Sequence, residues 1–395
     1  MKKILYLGGT HADIPIINEA KKMGLYVITV GNNENSIAHR YSDEFINVDY
    51  SDKNKIYELA KQLKVTAICP SCSDFAELTA SYVSERLGLP GHDRYETAII
   101  VHEKDRFRDF CNEHDIRVPK VYKFENKKKI DTELSLVKYP AIVKPVDLDS
   151  GKGIGRVNNE LELKKQLSIA MELSRSSRVV VEEFVEGTKH ATTIIIHNKE
   201  IMFFFTDDEQ YYINPYMVAA ASSPSSLAEG DILFVKEEIE KIIKGLDLVD
   251  GLLHVQYIVQ NGVPYIIEAC RRPPGEFYVS FVNYSTGFPY INQLVKGYLG
   301  EIDAIEFSTK QVKFCIRQCI MTNSNGTVES INIDSYLTNK VVDSFFWNDK
   351  GSYIHDYLKQ KLGFLLLEFE TYDEMRMCIE EMSNHINIKM KMVED

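Results

Sequence analysis

A chain of 395 residues with 44% hydrophobic and 11% aromatic content can bury several cores, and ordinary domain sizes divide it into two or three lobes. Its formal net charge of −12 argues against a nucleic-acid partner, because that affinity is built from Lys and Arg neutralising phosphates. Seven cysteines without an even framework fit a reduced, cytoplasmic setting, and no apolar run approaches the roughly 20 residues that cross a bilayer.

The opening MKKILYLGGT places two lysines before an apolar run, but glycines end that run within a few residues, so it reads as a first strand and not a secretory signal. Strands at Lys3–Leu7, Tyr26–Val30, Phe45–Val48 and Ala67–Cys69 alternate with helices expected over Asp13–Met23, Asn54–Leu63 and Phe75–Leu87. That rhythm predicts a parallel sheet with crossover helices, with Gly8-Gly9-Thr10 as its ligand-facing turn. The turn lacks GxGxxG spacing, and Val30-Gly31-Asn32 stands where a ribose-binding acid belongs, which argues against a nicotinamide dehydrogenase. Cys69 and Cys72 form an isolated CxxC, read as ordinary small buried residues.

Leu89-Pro90-Gly91 marks a boundary, followed by a helix through Lys104–Cys111. Ala141–Val143 is a strand ending in Lys144, pinned by Pro145, which holds a point charge suited to a polyphosphate. Gly151, Gly153 and Gly155 follow; without Cβ atoms their amides can approach phosphate oxygens closely. Asn159–Leu173 is a helix packed through Leu163, Leu167, Ala170 and Met171. Val179–Phe184 and Thr192–His197 are strands. Thr206-Asp207-Asp208 through Pro224 reads either as a solvated loop or as an acidic wall suited to a cationic amine. A helix over Phe234–Leu246 precedes two strands, Leu252–Val259 and Pro264–Cys270, joined by the hairpin signal Asn261-Gly262.

Alternation puts His254, Gln256 and Ile258 on one face of the first hairpin strand and Ile266, Glu268, Cys270 and Arg272 on one face of the second. Pairing would set Gln256 beside Glu268, an amide oxygen and a carboxylate suited to Mg²⁺, while Arg271 and Arg272 offer planar forks to a carboxylate or phosphoryl group. His254, Glu268 and Cys270 as a zinc set lack a supporting spacing motif. The last ninety residues carry strands of their own and a helix opened by the Thr371–Glu374 capping box.

The motifs YLGGTH, HEKDRFRDF, YPAIVKP, DSGKGIG, VVVEEFVEG and LLHVQYIVQNGVPYIIEACRRPPG together resemble the ATP-grasp superfamily over nearly the whole chain. The resemblance implies an α/β fold with a parallel-sheet pre-ATP-grasp domain at 1–95, an ATP-grasp domain at 96–304 with a lid at about 118–186, and a C-terminal α+β lobe at 305–395. It implies an ADP-forming ligase that joins a carboxylate to an amine through an acyl phosphate, using ATP and Mg²⁺, with Mn²⁺ as the alternative ion. Lys104 and Lys144 would contact the phosphates, and the loop with Ser150, Gly151, Lys152 and Gly153 would fold over them. Glu182, Glu183, Phe184 and Val185 would form the adenine hinge, and His190 would contact the nucleotide. Gln256, Glu268 and Cys270 occupy the metal positions, Lys144, Arg271 and Arg272 the catalytic ones.

Two departures stand out: Gln256 and Cys270 replace the common Glu and Asn, and a thiol is a poor ligand for Mg²⁺, so fewer protein ligands or a softer metal are expected. Lys189 takes a place often held by an acid. The C-terminal lobe resembles that of amino-acid ligases, which points to a dipeptide-type product. Small carboxylate and amine substrates are the expected partners, with a homodimer the ordinary assembly. The rivals are a grasp enzyme acting on bicarbonate or a purine-pathway intermediate, and a nucleotide-binding regulatory protein without turnover.

Overall fold

The computed structural model describes residues 1–125, 134–148, 151–305 and 312–391. Strands β1 (Lys3–Leu7), β2 (Tyr26–Gly31), β3 (Glu44–Asn47) and β4 (Ala67–Pro70) form a parallel sheet in the order β3-β2-β1-β4. β1 sits inside it, so its apolar run is buried on both faces: Ile4 and Tyr6 join one core, Leu5 and Leu7 another. Helices Ile14–Lys22, Lys53–Leu63 and Asp74–Leu87 make the crossovers, close to their expected bounds.

Two helices follow, Tyr95–His102 and Lys104–Glu113, meeting at an extended Glu103, so Lys104 opens the second. Beyond them, β5 (Val121–Glu125), β6 (Ala141–Pro145), β7 (Gly155–Val157) and β8 (Arg178–Glu183) form an antiparallel sheet ordered β5-β8-β6-β7. Helix Glu160–Leu173, capped by Asn159, packs on this sheet through the apolar stripe read from the sequence. The result is a compact lid.

The remaining strands are β9 (Thr188–His197), β10 (Glu200–Gln210), β11 (Ala220–Ser223), β12 (Gly251–Gln260), β13 (Val263–Cys270), β14 (Phe314–Ile320), β15 (Gly326–Ile333), β16 (Val341–Phe346), β17 (Tyr353–Ile354), β18 (Gly363–Phe369) and β19 (Ile386–Lys391). Among the described residues, eight of them form one sheet ordered β13-β12-β9-β10-β11-β14-β18-β16, and β17-β15-β19 form a small one. Because β11 pairs with β14, the C-terminal segment extends the central sheet across the boundary expected near 305.

Two local expectations change. Thr206-Asp207-Asp208 is not a solvated loop but part of β10, where Asp207 is fully buried and accepts a hydrogen bond from Tyr278. In the hairpin, Asn261 and Gly262 both have positive φ, 53° and 74°, as the tight turn demands. Its register pairs His254 with Cys270 and Gln256 with Glu268, then Tyr257 with Ile266. Ile267 is bulged out, so Ile266 turns into the core and does not share the face of Glu268.

Candidate active site

A cleft of about 550 Å³ lies between the lid and the central sheet, and Lys104, Lys144, Glu268 and Arg272 all line it. Lys144 leaves the end of β6 with its Nζ 2.6 Å from Glu182 Oε2, and Arg108 Nη2 lies 2.8 Å from Glu182 Oε1. All three are buried. Burial works to raise the Glu182 carboxyl, but Arg108 and Lys144 outweigh it and hold it below its usual range. Burial also lowers the Lys144 ammonium, against the pull of Glu182. The Glu182 side chain is therefore the counter-ion of a buried triad, not a free hinge group.

Lys104 donates to Leu148 O at 2.8 Å and stands 3.3 Å from Glu268 Oε1. Opposite them, Glu183, Phe184 and Val185 line the cleft, with the Arg156 guanidinium 4.3 Å over the Phe184 ring. The Glu183 and Phe184 N–H groups are committed to Lys120 O at 3.0 Å and Pro140 O at 3.1 Å, which leaves hinge donors to the chain from Val185 onward.

Gly151 lines the cleft with φ +73°, and a Cβ there would meet Tyr216 O at 2.9 Å. Tyr216 also accepts from the Arg156 N–H at 2.9 Å, so this tyrosine seats the glycine loop. Ser150 lies outside the described residues. Lys152 and Gly153 share the turn without lining the cleft; a Cβ on Gly153 would meet Pro145 at 2.7 Å.

Gln256, Glu268 and Cys270 line the same cleft. Glu268 and Gln256 offer hard oxygen donors at directly paired positions, which fits Mg²⁺ carrying waters and nucleotide oxygens. Cys270 does not fit: burial pushes its thiol up to about 12, and the Sγ lies 3.6 Å from Arg272 O. The described residues contain no group of three or more His, Cys, Asp and Glu arranged for a metal, so His254, Glu268 and Cys270 do not form a zinc set.

Two expected residues lie elsewhere. Arg271 points away from the cleft: its Nε donates to Asp93 at 2.7 Å, its Nη2 to Val249 O at 2.7 Å, and its Nη1 to Leu252 O. It is a structural clamp and not a catalytic fork. His190 is buried on β9, with Nδ1 2.9 Å from Asp208 and Nε2 2.7 Å from Thr188 Oγ1, and does not line the cleft. Arg272 does line the cleft, anchored through Nε by Asp74 at 2.6 Å.

Several lining groups escaped the sequence reading. Arg317 enters from β14, its buried Nε without a hydrogen-bond partner among the described residues. Lys361 donates to Val218 O at 2.9 Å and stands 3.6 Å from Glu276. Burial opposes ionisation of Glu276, yet Lys361 and His11 bring its carboxyl down to about 2. A lone arginine in the apolar run of β14 was the one available signal for this subsite.

A lid sheet and a central sheet closing on paired lysines and a metal-ready carboxylate are the architecture of an ATP-grasp enzyme, and residues 109–275 match the ATP-grasp domain family. Residues 109–275 therefore carry an ATP-grasp domain, the domain of ligases that form C–N bonds with release of ADP. The chain is 24% identical over 275 residues, 69% of this chain and 70% of the relative, to a formate-dependent phosphoribosylglycinamide formyltransferase of Prochlorococcus marinus. It is 22% identical to a carbamoyl phosphate synthase large chain of Thermoanaerobacter pseudethanolicus, over 71% of this chain and 26% of that one. The fold superposes on an L-amino acid ligase from Bacillus licheniformis with TM-score 0.85 at 18% identity, covering 99% of both chains. It superposes on a phosphoribosylglycinamide synthetase from Anaerococcus prevotii with TM-score 0.78 at 21% identity, covering 99% and 100%. A biotin carboxylase domain from Hydrogenobacter thermophilus, solved with MgADP and bicarbonate, gives 0.79 at 17% identity, covering 98% of this chain and 91% of that one.

Proposed function

We propose that this protein activates a small carboxylate, an amino acid in the first instance, as an acyl phosphate and transfers the acyl group to an amine, forming an amide or peptide bond. The observation that carries this reading is the single cleft in which Lys104, Lys144 and Glu268 are followed by Arg272 and Arg317. The lysines neutralise the phosphate chain, and the arginines bind and orient the carboxylate for attack on the terminal phosphoryl group as ADP departs. The amine then attacks the acyl carbon, Arg272 or Arg317 stabilises the oxyanion, and phosphate leaves as the amine loses its proton. Glu268 and Gln256 would hold Mg²⁺, which when bound neutralises charge on the transferring phosphoryl group.

A second reading is favoured by the names of the relatives together with the Arg317 and Lys361 cations: a purine-pathway reaction whose amine substrate carries a phosphate. An ADP-release screen with mass spectrometry separates the two. Amino-acid pairs, formate with phosphoribosylglycinamide, and bicarbonate are offered in parallel arms. Turnover with amino acids supports the first reading; turnover only with the phosphorylated amine replaces it. ADP binding without turnover in any arm would favour a nucleotide-binding regulatory protein.

A further inference from the structure

Glutamine at position 256 raises a chemical problem, because an amide presents a cation with either its oxygen or its NH₂ group, and the two differ by a simple flip. The structure resolves the flip. Gln256 Nε2 donates to Glu209 Oε1 at 2.6 Å, and Tyr211 OH donates to the other carboxylate oxygen, Oε2, at 2.7 Å. Glu209 lies on β10 and Gln256 on β12, with β9 between them. On β9 the residue opposite Gln256 is Ala191, fully buried, whose own partner on β10 is Asp207, so Glu209, two residues further along, reaches Gln256 on the diagonal past the small Ala191 side chain. A carboxylate has no donor of its own, so only the NH₂ can face Glu209 and the carbonyl oxygen must face the other way. Gln256 also pairs directly with Glu268 in the hairpin register.

We propose that Glu209 is a positioning residue that locks the Gln256 amide with its oxygen toward the cation held by Glu268. The inference rests on the ligase reading above, and it assigns Glu209 a role through Gln256 and not in direct contact with substrate. Outer-shell partners of this kind contribute about 10–100-fold to metal affinity.

The test is Mn²⁺ binding to the full-length protein in the presence of ADP, followed by electron paramagnetic resonance, together with metal-free ADP binding and steady-state constants. Glu209→Gln should weaken Mn²⁺ about 10–100-fold while metal-free ADP affinity holds. The swap Glu209→Gln with Gln256→Glu restores a donor–acceptor pair in the reverse sense and should recover Mn²⁺ affinity to within a few-fold. Should Glu209→Gln not fold, Tyr211→Phe, which frees the second carboxylate oxygen, should move Mn²⁺ affinity in the same direction by less. Unchanged Mn²⁺ affinity in Glu209→Gln, or in Tyr211→Phe where that variant stands in, would overturn the proposal. So would a swap no better than the single variant, or a rise confined to the KM of the amine, which would make Glu209 a substrate contact. Failure of the wild-type protein to take up Mn²⁺ with ADP would remove the ligase reading itself, an outcome separate from equal binding by wild type and variant.

Discussion

Lys104 Nζ and Glu268 Oε1 stand 3.3 Å apart, so the cation that opens the helix Lys104–Glu113 and the carboxylate near the end of β13 neutralise one another across the cleft. Each is also the group that a nucleotide complex would redirect, the ammonium to phosphate oxygens and the carboxylate to a metal. The pair keeps a buried lysine compensated until ligand arrives.

Glu268→Ala is therefore expected to abolish turnover, by roughly 10²–10³-fold or more, while leaving metal-free ADP binding intact or tighter, because Lys104 loses its competitor. Isothermal titration in EDTA and in Mg²⁺, beside the turnover assay, reads both effects. Wild-type activity in this variant would refute the site.

Adjacent arginines should behave in opposite ways. Arg271 forms a buried pair with Asp93 at 2.7 Å, so Arg271→Ala strands a buried carboxylate and should cost about 3–5 kcal/mol of stability with KM values of the folded fraction unchanged. Arg272→Lys keeps the charge but loses the planar fork, and should lower kcat with a smaller loss of stability. Urea denaturation and steady-state kinetics on both variants decide the matter.

The contrast shows what was legible. Strand alternation already placed Arg272 on the face of Glu268, so the same phase turned Arg271 the other way; offering both as forks set that information aside. The Asn-Gly turn was legible, but its strict two-residue register pairs Gln256 with Ile267, and only the bulge at Ile267 brings Glu268 opposite Gln256. The bulge at Ile267 has no comparable signal. Glu209 and Arg317 were missed because sheet order, not chain proximity, brings β10 and β14 to the cleft, and acids on β10 resemble a loop until Tyr278 and Gln256 are seen to satisfy them. The buried Lys144–Glu182–Arg108 triad likewise joins residues from three separate elements.

Acid stability should depend on His254. Burial, with Arg272 and Arg317 nearby, lowers its imidazole from 6.5 to about 3. The unfolded chain takes up a proton below about 6.5 that the folded protein refuses, so this residue's contribution is lost as pH falls from about 6.5 toward 3. The slope reaches at most about 1.4 kcal/mol per pH unit. Asp13 opposes it: burial raises that carboxyl from 3.8 to about 6, so its contribution is lost as pH rises through the same window. The difference between wild type and His254→Gln isolates the histidine. Urea midpoints from pH 4 to 7 should show a shallower acid limb in the variant, and parallel curves would contradict the assignment.

Cys270 closes the argument about the metal. Its thiol is pushed up to about 12 by burial, so it stays protonated at neutral pH and contributes no hard donor, although it stands directly across from His254 in the hairpin. Cys270→Asn supplies an amide oxygen in the same place and should lower the Mg²⁺ concentration for half-maximal turnover several-fold. Cys270→Ala removes a group that was not coordinating and should leave the Mg²⁺ titration where it was. A titration unmoved by asparagine would show that position 270 lies outside the coordination sphere, whereas a titration weakened by alanine would show that the thiol had been a ligand after all.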